Sequence, residues 1–153
     1  MKGVKAHHAI VVLGVVLASA ACSKAVIAPE IAVPAGESRN AVVARMATAY
    51  LGAPYAWAGA SPSGFDCSGL VAYVFARAGV SIPHNAAQQF QYGIPVPREQ
   101  LMAGDVVFFN RLHHNGIYLG AGRFIHSSQP GGVKITSLDD EWFRTRWVGA
   151  RRL

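Results

Sequence analysis

The segment Gly64-Phe65-Asp66-Cys67-Ser68-Gly69-Leu70 decides the fold, because it places a cysteine where a loop turns into a helix. Gly, Pro and Ser are frequent over residues 52–65, which predicts a loop. The helix is predicted to begin at Asp66 or Cys67 and to end at Gly79, with an apolar stripe formed by Leu70, Val71, Val74 and Phe75. Cys67 therefore lies in the first helical turn.

The first turn of a helix is a favourable place for a reactive thiol. It exposes unpaired backbone N–H groups and the positive end of the helix dipole, so we predict that the pKa of Cys67 falls below that of a free cysteine. The same N–H groups can donate to an oxyanion. Gly64 and Gly69 would let a substrate backbone come close. The alternative is that Cys67 is a small buried hydrophobic side chain.

The pattern on either side of this segment predicts helices first and strands later. Ser38 can cap a first helix that runs to Leu51, and residues 85–92 form a short helix before a break at 93–97. Short β-rich runs follow at 105–109, 116–119, 123–126, 133–136 and 147–150, with a short helix near 139–144. This order predicts an α+β domain over residues 38–153, with helices packed on an antiparallel sheet of about five to six strands.

Histidines in the second half provide candidate bases. His114 and His126 are equidistant from Gly120 in the turn 120–122, so an antiparallel hairpin would place them roughly opposite each other on one face, with His113 pointing to the other face. Two such imidazoles can form a base and its orienter. The alternative is that one of them is a core or surface residue without a role. Adjacent histidines, with no Cys-x-x-Cys or His-Glu-x-x-His motif, argue against a metal site, so we predict no metal and no cofactor.

The N-terminus has the layout of a secretory signal. Lys2 and Lys5 precede an uncharged apolar run over 9–21 that ends in small residues. The run is shorter than the roughly 20 residues that a bilayer-spanning helix needs, although an uncleaved membrane anchor remains the alternative. We predict a signal peptide over 1–21, a flexible Ala/Val/Pro/Gly-rich tether over 22–37 and the folded domain from 38 onward.

Cys22 follows this run directly and resembles the lipidated cysteine of bacterial lipoproteins. The match is imperfect, because Ser19 stands where the lipobox usually has Leu, and ordinary cleavage after Ala20 or Ala21 is the alternative. Ser23 is typical of lipoproteins sent to the outer membrane. We therefore predict a cell-envelope protein, lipid-anchored on the periplasmic side of the outer membrane, and otherwise secreted or periplasmic.

The charge pattern bears on the partner. Without Lys2 and Lys5, the chain has 12 basic and 8 acidic residues, which gives a net charge of +4. The basic residues form no tract interleaved with aromatic residues, which argues against nucleic acid. A mildly basic exported surface suits an acidic envelope polymer, and a solvated surface without a specific partner is the alternative.

Five stretches together resemble the NlpC family of cell-wall cysteine peptidases: 51–59, 61–71, 104–109, 114–120 and 124–126. The resemblance covers about residues 40–150 in matching order and implies a papain-like α+β fold with a Cys–His–His centre. Cys67 matches the nucleophile, His114 the general base and His126 the third polar residue. Family members cut the peptide stems of peptidoglycan, typically between D-glutamate and diaminopimelate or lysine.

The resemblance also implies substrate-binding residues and partners. Tyr55 matches a tyrosine implicated in substrate contact or oxyanion support, whereas Asp66 and Ser68 match positions that, in some members, contact the free amine of an N-terminal L-alanine. Asp66 is equally a good helix N-cap, and packing without a role in binding is the alternative for Tyr55. The implied partners are peptidoglycan, a membrane through the N-terminal lipid and an unidentified envelope adaptor protein.

Three departures from the family pattern accompany the match. Ala58 stands where Gly is commoner, Asn115 where Val is commoner, and His84-Asn85 where Arg-Thr or Arg-Ser is usual. Asn115 puts local packing or specificity in question. Competing functions are an amidase or acyltransferase on the same scaffold, a catalytically silent wall-binding lipoprotein and a thiol redox protein, the last disfavoured by a lone cysteine.

Overall fold

The computed structural model describes Gly36 and residues 38–153, which form four α-helices and eight β-strands. The helices are α1 (Arg39–Thr48), α2 (Cys67–Arg77), α3 (Ala86–Gln89) and α4 (Glu141–Thr145). The strands are β1 (Ala60–Ser61), β2 (Gly64–Phe65), β3 (Ile94–Val96), β4 (Val106–Phe109), β5 (His114–Gly120), β6 (Arg123–Ser128), β7 (Gly132–Ser137) and β8 (Trp147–Arg152). The predicted α+β class is confirmed.

Helix α1 begins where the sequence indicated and ends earlier. The Ser38 hydroxyl accepts a hydrogen bond from the Ala41 N–H at 3.2 Å, so Ser38 is the N-cap. The prediction that the helix runs to Leu51 is wrong. Backbone N–H groups of residues 49–51 bond carbonyls three residues back, which tightens the last turn and ends the α-helical ladder at Thr48.

The main sheet has six strands in the order β3-β8-β4-β5-β6-β7, and all neighbouring strands are antiparallel. Strand β3 lies within residues 93–97, where the sequence predicted only a break. Pro95 is tolerated there because β3 is an edge strand and needs fewer N–H donors. The predicted loop over 52–65 also contains a small β1–β2 hairpin, with Ala60 paired to Phe65.

Both faces of the sheet are covered. Val106 and Phe108 of β4 pack toward α1 and α2, whereas Val107 and Phe109 pack on the opposite face with Phe143 of α4. All four β4 side chains are fully buried, which explains a continuous apolar run without alternation. Burial of each such side chain contributes roughly 1.5–3 kcal/mol. Apolar side chains therefore pack on both faces of this sheet, which carries the candidate site.

The predictions for the N-terminal region fall outside the described residues. These are the signal peptide over 1–21, Cys22 and, apart from Gly36, the tether over 22–37. Within the part of the chain that the structure describes, no helix has the length and apolarity needed to cross a membrane.

Candidate active site

Helix α2 presents Cys67 at its first position. Asp66 is its N-cap, and its Oδ1 accepts a hydrogen bond from the Gly69 N–H at 2.7 Å. Position 69 requires glycine, because a Cβ there would collide with the Gly59 carbonyl oxygen. A Cβ at position 64 would lie 2.5 Å from the Cβ of Ala56. These glycines therefore serve contacts within the chain, and the expectation that they admit a substrate backbone is not supported.

The Cys67 thiol is free and half-buried. Burial raises its pKa, the Asp66 carboxylate adds to this, and backbone N–H groups of Asn115, Ser68 and Cys67 itself act in the opposite direction. The prediction that the helix start lowers this pKa is wrong for the free protein, because desolvation outweighs the favourable N–H groups. Cys67 Sγ also lies 3.9 Å from the His113 carbonyl oxygen.

The two predicted histidines meet, although their register differs from the expected one. The hairpin turn consists of Ala121 and Gly122, both with positive φ, and Gly120 pairs with Arg123. A bulge between Tyr118 and Gly120 then sets the pairing of Ile117 with Ile125.

Extending that register places Gly116, rather than His114, opposite His126. The predicted rough opposition is therefore displaced by two residues. Because the offset is two residues, His114 and His126 still share a face, and His114 Nε2 lies 2.8 Å from His126 Nδ1. His113 follows a single turn (Asn110–Leu112) before β5 and is exposed, so it does not lie on the strand's other face as expected.

A third residue, Thr136 of β7, extends this contact. Its hydroxyl lies 2.9 Å from His126 Nε2. When His114 donates its Nε2–H to His126 Nδ1, His126 must carry its own proton on Nε2 and donate it to Thr136 Oγ1, which leaves His114 Nδ1 as an acceptor. Sequence reasoning missed Thr136. Its signal was the β6–β7 hairpin, where Thr136 lies two residues from Lys134, the register partner of His126.

Burial keeps both imidazoles neutral. It lowers the pKa of His114 to about 4, with a smaller contribution from the Lys134 ammonium. Burial also lowers the pKa of His126, with further contributions from His114 and Lys134. His126 is completely buried behind His114, so it can orient that ring but cannot itself meet a ligand.

A groove of about 720 Å³ brings the other predicted residues together. Cys67, His114, Tyr55, Asp66 and Ser68 all line it. Two tryptophans add aromatic walls: Trp57 is 88% exposed, and Trp142 lies 6.0 Å from the His114 ring, centroid to centroid. Among the described residues no group of three or more His, Cys, Asp or Glu side chains is placed to hold a metal ion.

Comparison with known proteins identifies the family of this fold and groove. The model of the NlpC/P60 family matches residues 52–152. The chain belongs to the NlpC/P60 family. This confirms the resemblance read from the sequence.

Individual relatives agree with that assignment. The chain is 43% identical over 117 residues to the gamma-DL-glutamyl hydrolase of Bacillus subtilis (strain 168), covering 72% of this chain and 28% of the relative. It is 40% identical over 113 residues to the murein DD-endopeptidase MepH of Escherichia coli (strain K12), covering 67% and 42%. The chain thus spans less than half the length of either relative.

The solved structures show the same fold. The crystal structure of an NlpC/P60 family protein from Bacillus cereus ATCC 10987 has a TM-score of 0.72 and 33% identity, over 76% of this chain and 40% of that one. A papain-like fold with the helices on an antiparallel sheet is therefore confirmed.

One departure from the NlpC/P60 pattern lies in the groove. His84 stands where Arg is usual, and its Nε2 donates to Asp66 Oδ1 at 2.8 Å. Ser68 Oγ donates to the same oxygen at 3.2 Å, in addition to the Gly69 N–H. Asp66 Oδ2 accepts no hydrogen bond from the described residues and remains available to a cation in the groove. Both alternatives for Asp66 are thus compatible, since one oxygen caps the helix.

The second departure, Asn115, lies next to His114 and is fully buried. Its Nδ2 donates to Gln89 Oε1 at 2.6 Å, and Gln89 Nε2 donates to the carbonyl oxygens of Ser68 at 3.0 Å and Pro83 at 2.7 Å. This amide pair ties strand β5, which carries the base, to helix α2, which carries the thiol. Sequence reasoning did not assign Gln89, because its partners are distant along the chain.

The third departure, Ala58, lines the groove with φ at +55°. This left-handed conformation costs an L-residue roughly 1–2 kcal/mol, and glycine adopts it without that cost. The family's usual Gly at this position therefore has a backbone explanation.

Proposed function

We propose that this chain is a cysteine endopeptidase that hydrolyses the peptide stems of peptidoglycan, at the bond between D-glutamate and diaminopimelate or lysine. The observation that carries the proposal is the shared groove of Cys67 and His114, with His114 held from behind by His126. The names of the relatives support separate parts of this proposal, since one is a hydrolase of glutamyl bonds and the other is an endopeptidase of murein.

The residues permit a balanced acyl-transfer cycle. His114 Nδ1 takes the proton from Cys67 as its sulfur attacks the amide carbonyl carbon, and backbone N–H groups at the start of α2 stabilise the oxyanion. The C–N bond then breaks, and the amine leaves with the proton from His114. Water, deprotonated by His114, attacks the thioester carbon and releases the acid and the Cys67 thiol.

His126 and Thr136 act in this cycle as positioning residues. In the tautomer that the cycle requires, His114 Nε2 donates to His126 Nδ1 across the observed 2.8 Å, which holds the His114 ring and leaves its Nδ1 free to accept a proton. The bond from His126 Nε2 to Thr136 Oγ1 fixes the tautomer of His126 in turn. Tyr55, Asp66 and Ser68 are proposed to bind substrate, with Asp66 Oδ2 meeting the free ammonium of an N-terminal L-alanine.

Digestion of purified peptidoglycan by the full chain tests this function. We expect fragments cut after D-glutamate, identified by mass spectrometry, and no such fragments from a Cys67→Ala variant. Retained cleavage in that variant would remove Cys67 from the mechanism. If the unmutated chain binds the wall without cutting sacculi or soluble fragments, the wall-binding alternative replaces the peptidase.

A second candidate is cleavage of the D,D cross-link between stems, which the 40% identity to MepH favours. The same digest separates the two, because cross-link cleavage converts dimeric stems to monomers without shortening either stem. Cleavage next to the glycan, or transfer to another acceptor, would indicate the amidase or acyltransferase alternative.

The envelope location is a separate proposal. We propose cleavage of residues 1–21, lipidation at Cys22 and anchoring on the periplasmic side of the outer membrane, with an envelope adaptor protein as a further partner. Labelling of bacteria with an alkyne-tagged fatty acid tests it: the unmutated chain and Cys67→Ala should take up the label, and Cys22→Ala should not. Labelling of Cys22→Ala, or of none of the three, would count against lipidation.

A further inference from the structure

A second cavity adjoins the groove and carries two arginines. It has a volume of about 470 Å³ and shares Asn110 with the groove. Its lining is Asn110, Arg111, Thr145, Arg146, Trp147 and Val148. Of the described residues, no Asp or Glu lines it, so the charges facing the cavity are positive.

Arg146 is held in position for a ligand. Its guanidinium carbon lies 4.8 Å from the centre of the Trp142 ring, and its Nη1 donates to the Trp142 carbonyl oxygen at 3.3 Å and to Thr145 Oγ1 at 3.2 Å. Nε and Nη2 make no hydrogen bond to the described residues. The remaining donors of a stacked guanidinium match the geometry of a carboxylate.

Arg111 reaches the same cavity through an unusual backbone. It lies in the turn Asn110–Leu112, whose three residues all have positive φ, between +51° and +68°. Non-glycine residues in this region are uncommon and cluster at functional sites. Within the described part of the chain, neither Arg111 nor Arg146 has an acidic partner.

Trp142 and Asn110 join the two cavities. Trp142 lines the groove, and its ring contacts both the His114 ring and the Arg146 guanidinium. Asn110 lines both cavities. Asp66 and His84 line only the groove. A stem that meets Asp66 with its N-terminal ammonium reaches the two arginines only if it extends past Asn110, which lines both cavities.

We propose that the Arg111–Arg146 cavity binds the distal carboxylate of diaminopimelate and so selects stems that contain this residue over stems that contain lysine. The inference rests on the proposed function, since it places the leaving-amine residue of the stem beyond Asn110. Diaminopimelate and lysine differ in this position by a single carboxylate, and lysine leaves an uncompensated ammonium near two guanidinium groups.

Calorimetry on the full chain with Cys67→Ala tests the selection without turnover. The probes are two tripeptides, L-Ala–γ-D-Glu–diaminopimelate and L-Ala–γ-D-Glu–L-Lys. We expect the first to bind about 10- to 100-fold more tightly, the range for a charged hydrogen-bonded pair. Adding Arg146→Gln should remove this preference by weakening only the diaminopimelate probe, and Arg111→Gln should reduce it.

Arg144→Gln is the matched control, since Arg144 lies in α4, two residues before Arg146, and does not line the cavity. It should leave the preference intact. Equal affinities for the two probes, equal losses in Arg144→Gln and Arg146→Gln, or no binding of either probe would overturn the selection. Turnover by the unmutated chain is measured separately, so a failure of the proposed function is seen as absent cleavage whatever the binding result.

Discussion

The proposed base predicts an unusually acidic lower limit of activity. His114 must be neutral to accept the Cys67 proton, and burial lowers the pKa of His114 from the ordinary 6.5 to about 4. Activity should therefore rise with pH through about 4 rather than through 6.5. The perturbation is a change of pH alone, applied to the unmutated chain.

The expected size of the effect follows from these two values. At pH 5.5 an imidazole with a pKa of about 4 is about 97% neutral, whereas one with the ordinary 6.5 is about 9% neutral. The relative kcat/KM at pH 5.5 should accordingly be about tenfold higher than an unperturbed base would allow. The assay is the pH profile of kcat/KM on a soluble stem peptide between pH 3 and 9.

A second measurement identifies the protonation states of Cys67 and His114 that underlie the acidic side of this pH profile. Since burial raises the pKa of Cys67 and keeps His114 neutral, the resting protein should hold a thiol and not a thiolate–imidazolium pair. The 240 nm absorbance of thiolate, taken as the difference from Cys67→Ala, should be absent at pH 7 and appear above pH 9. An acid limb centred near 6.5, or thiolate absorbance at pH 7, would refute the reasoning. Lys134→Gln should move the limb slightly upward, because the Lys134 ammonium helps lower the pKa of His114.

Four further outcomes can be checked by urea unfolding. Gly116→Ala should cost about 3 kcal/mol and lower kcat, because a Cβ there would lie 2.5 Å from the Ile125 carbonyl oxygen and 2.9 Å from the His126 Cβ. Ala58→Gly should raise the unfolding free energy by up to about 1 kcal/mol, by relief of a left-handed φ of +55°, where a helical Ala→Gly change would lower it. Asn115→Val should lower it by about 1 kcal/mol, because removal of the unpartnered buried Asn115 Oδ1 offsets only the loss of a donor at the buried Gln89 Oε1, and the hydrogen bond between the two amides is lost. The lowered histidine pKa values mean that the unfolded chain binds more protons between pH 6.5 and 4, so stability should fall as the pH drops through that window, by roughly 3 kcal/mol for the base alone.

Features set by neighbouring residues were predictable from the sequence. The start of α2 follows from the Asp66 cap and the apolar stripe behind it, and the α+β class follows from helices followed by short strands. The same local signals placed Cys67 at the helix start. They were sufficient because capping and periodicity act within a few residues.

Features set by distant partners were not predictable in the same way. Strand β3 has only three residues, and its pairing with β8 brings Ile94 beside Arg152. Gln89 and Thr136 obtain their roles from side chains that only the folded sheet and helices bring near. The prediction of a lowered Cys67 pKa failed for the same reason. The helix dipole can be inferred from the sequence, whereas the burial that outweighs it cannot.

Among the described residues His126, and not a carboxylate, lies behind His114, so nothing there opposes the effect of burial, which lowers the pKa of His114. A buried aspartate in the third position would favour an imidazolium, whereas a neutral His126, in the tautomer that accepts from His114 Nε2–H, adds no negative charge. Its own lowered pKa, to about 3, excludes a second proton on this relay at neutral pH.

The N–H groups around Cys67 Sγ then matter most when charge develops on the sulfur and on the substrate oxygen, because in the resting state they face a neutral thiol. Stabilisation that is stronger in the transition state than in the ground state lowers the barrier. Stabilisation of a resting thiolate would lower the free energies of the ground state and the transition state together, and so would leave the barrier largely unchanged. The burial that raises the Cys67 pKa is thus compatible with catalysis in this groove, provided that proton transfer to His114 accompanies attack on the carbonyl.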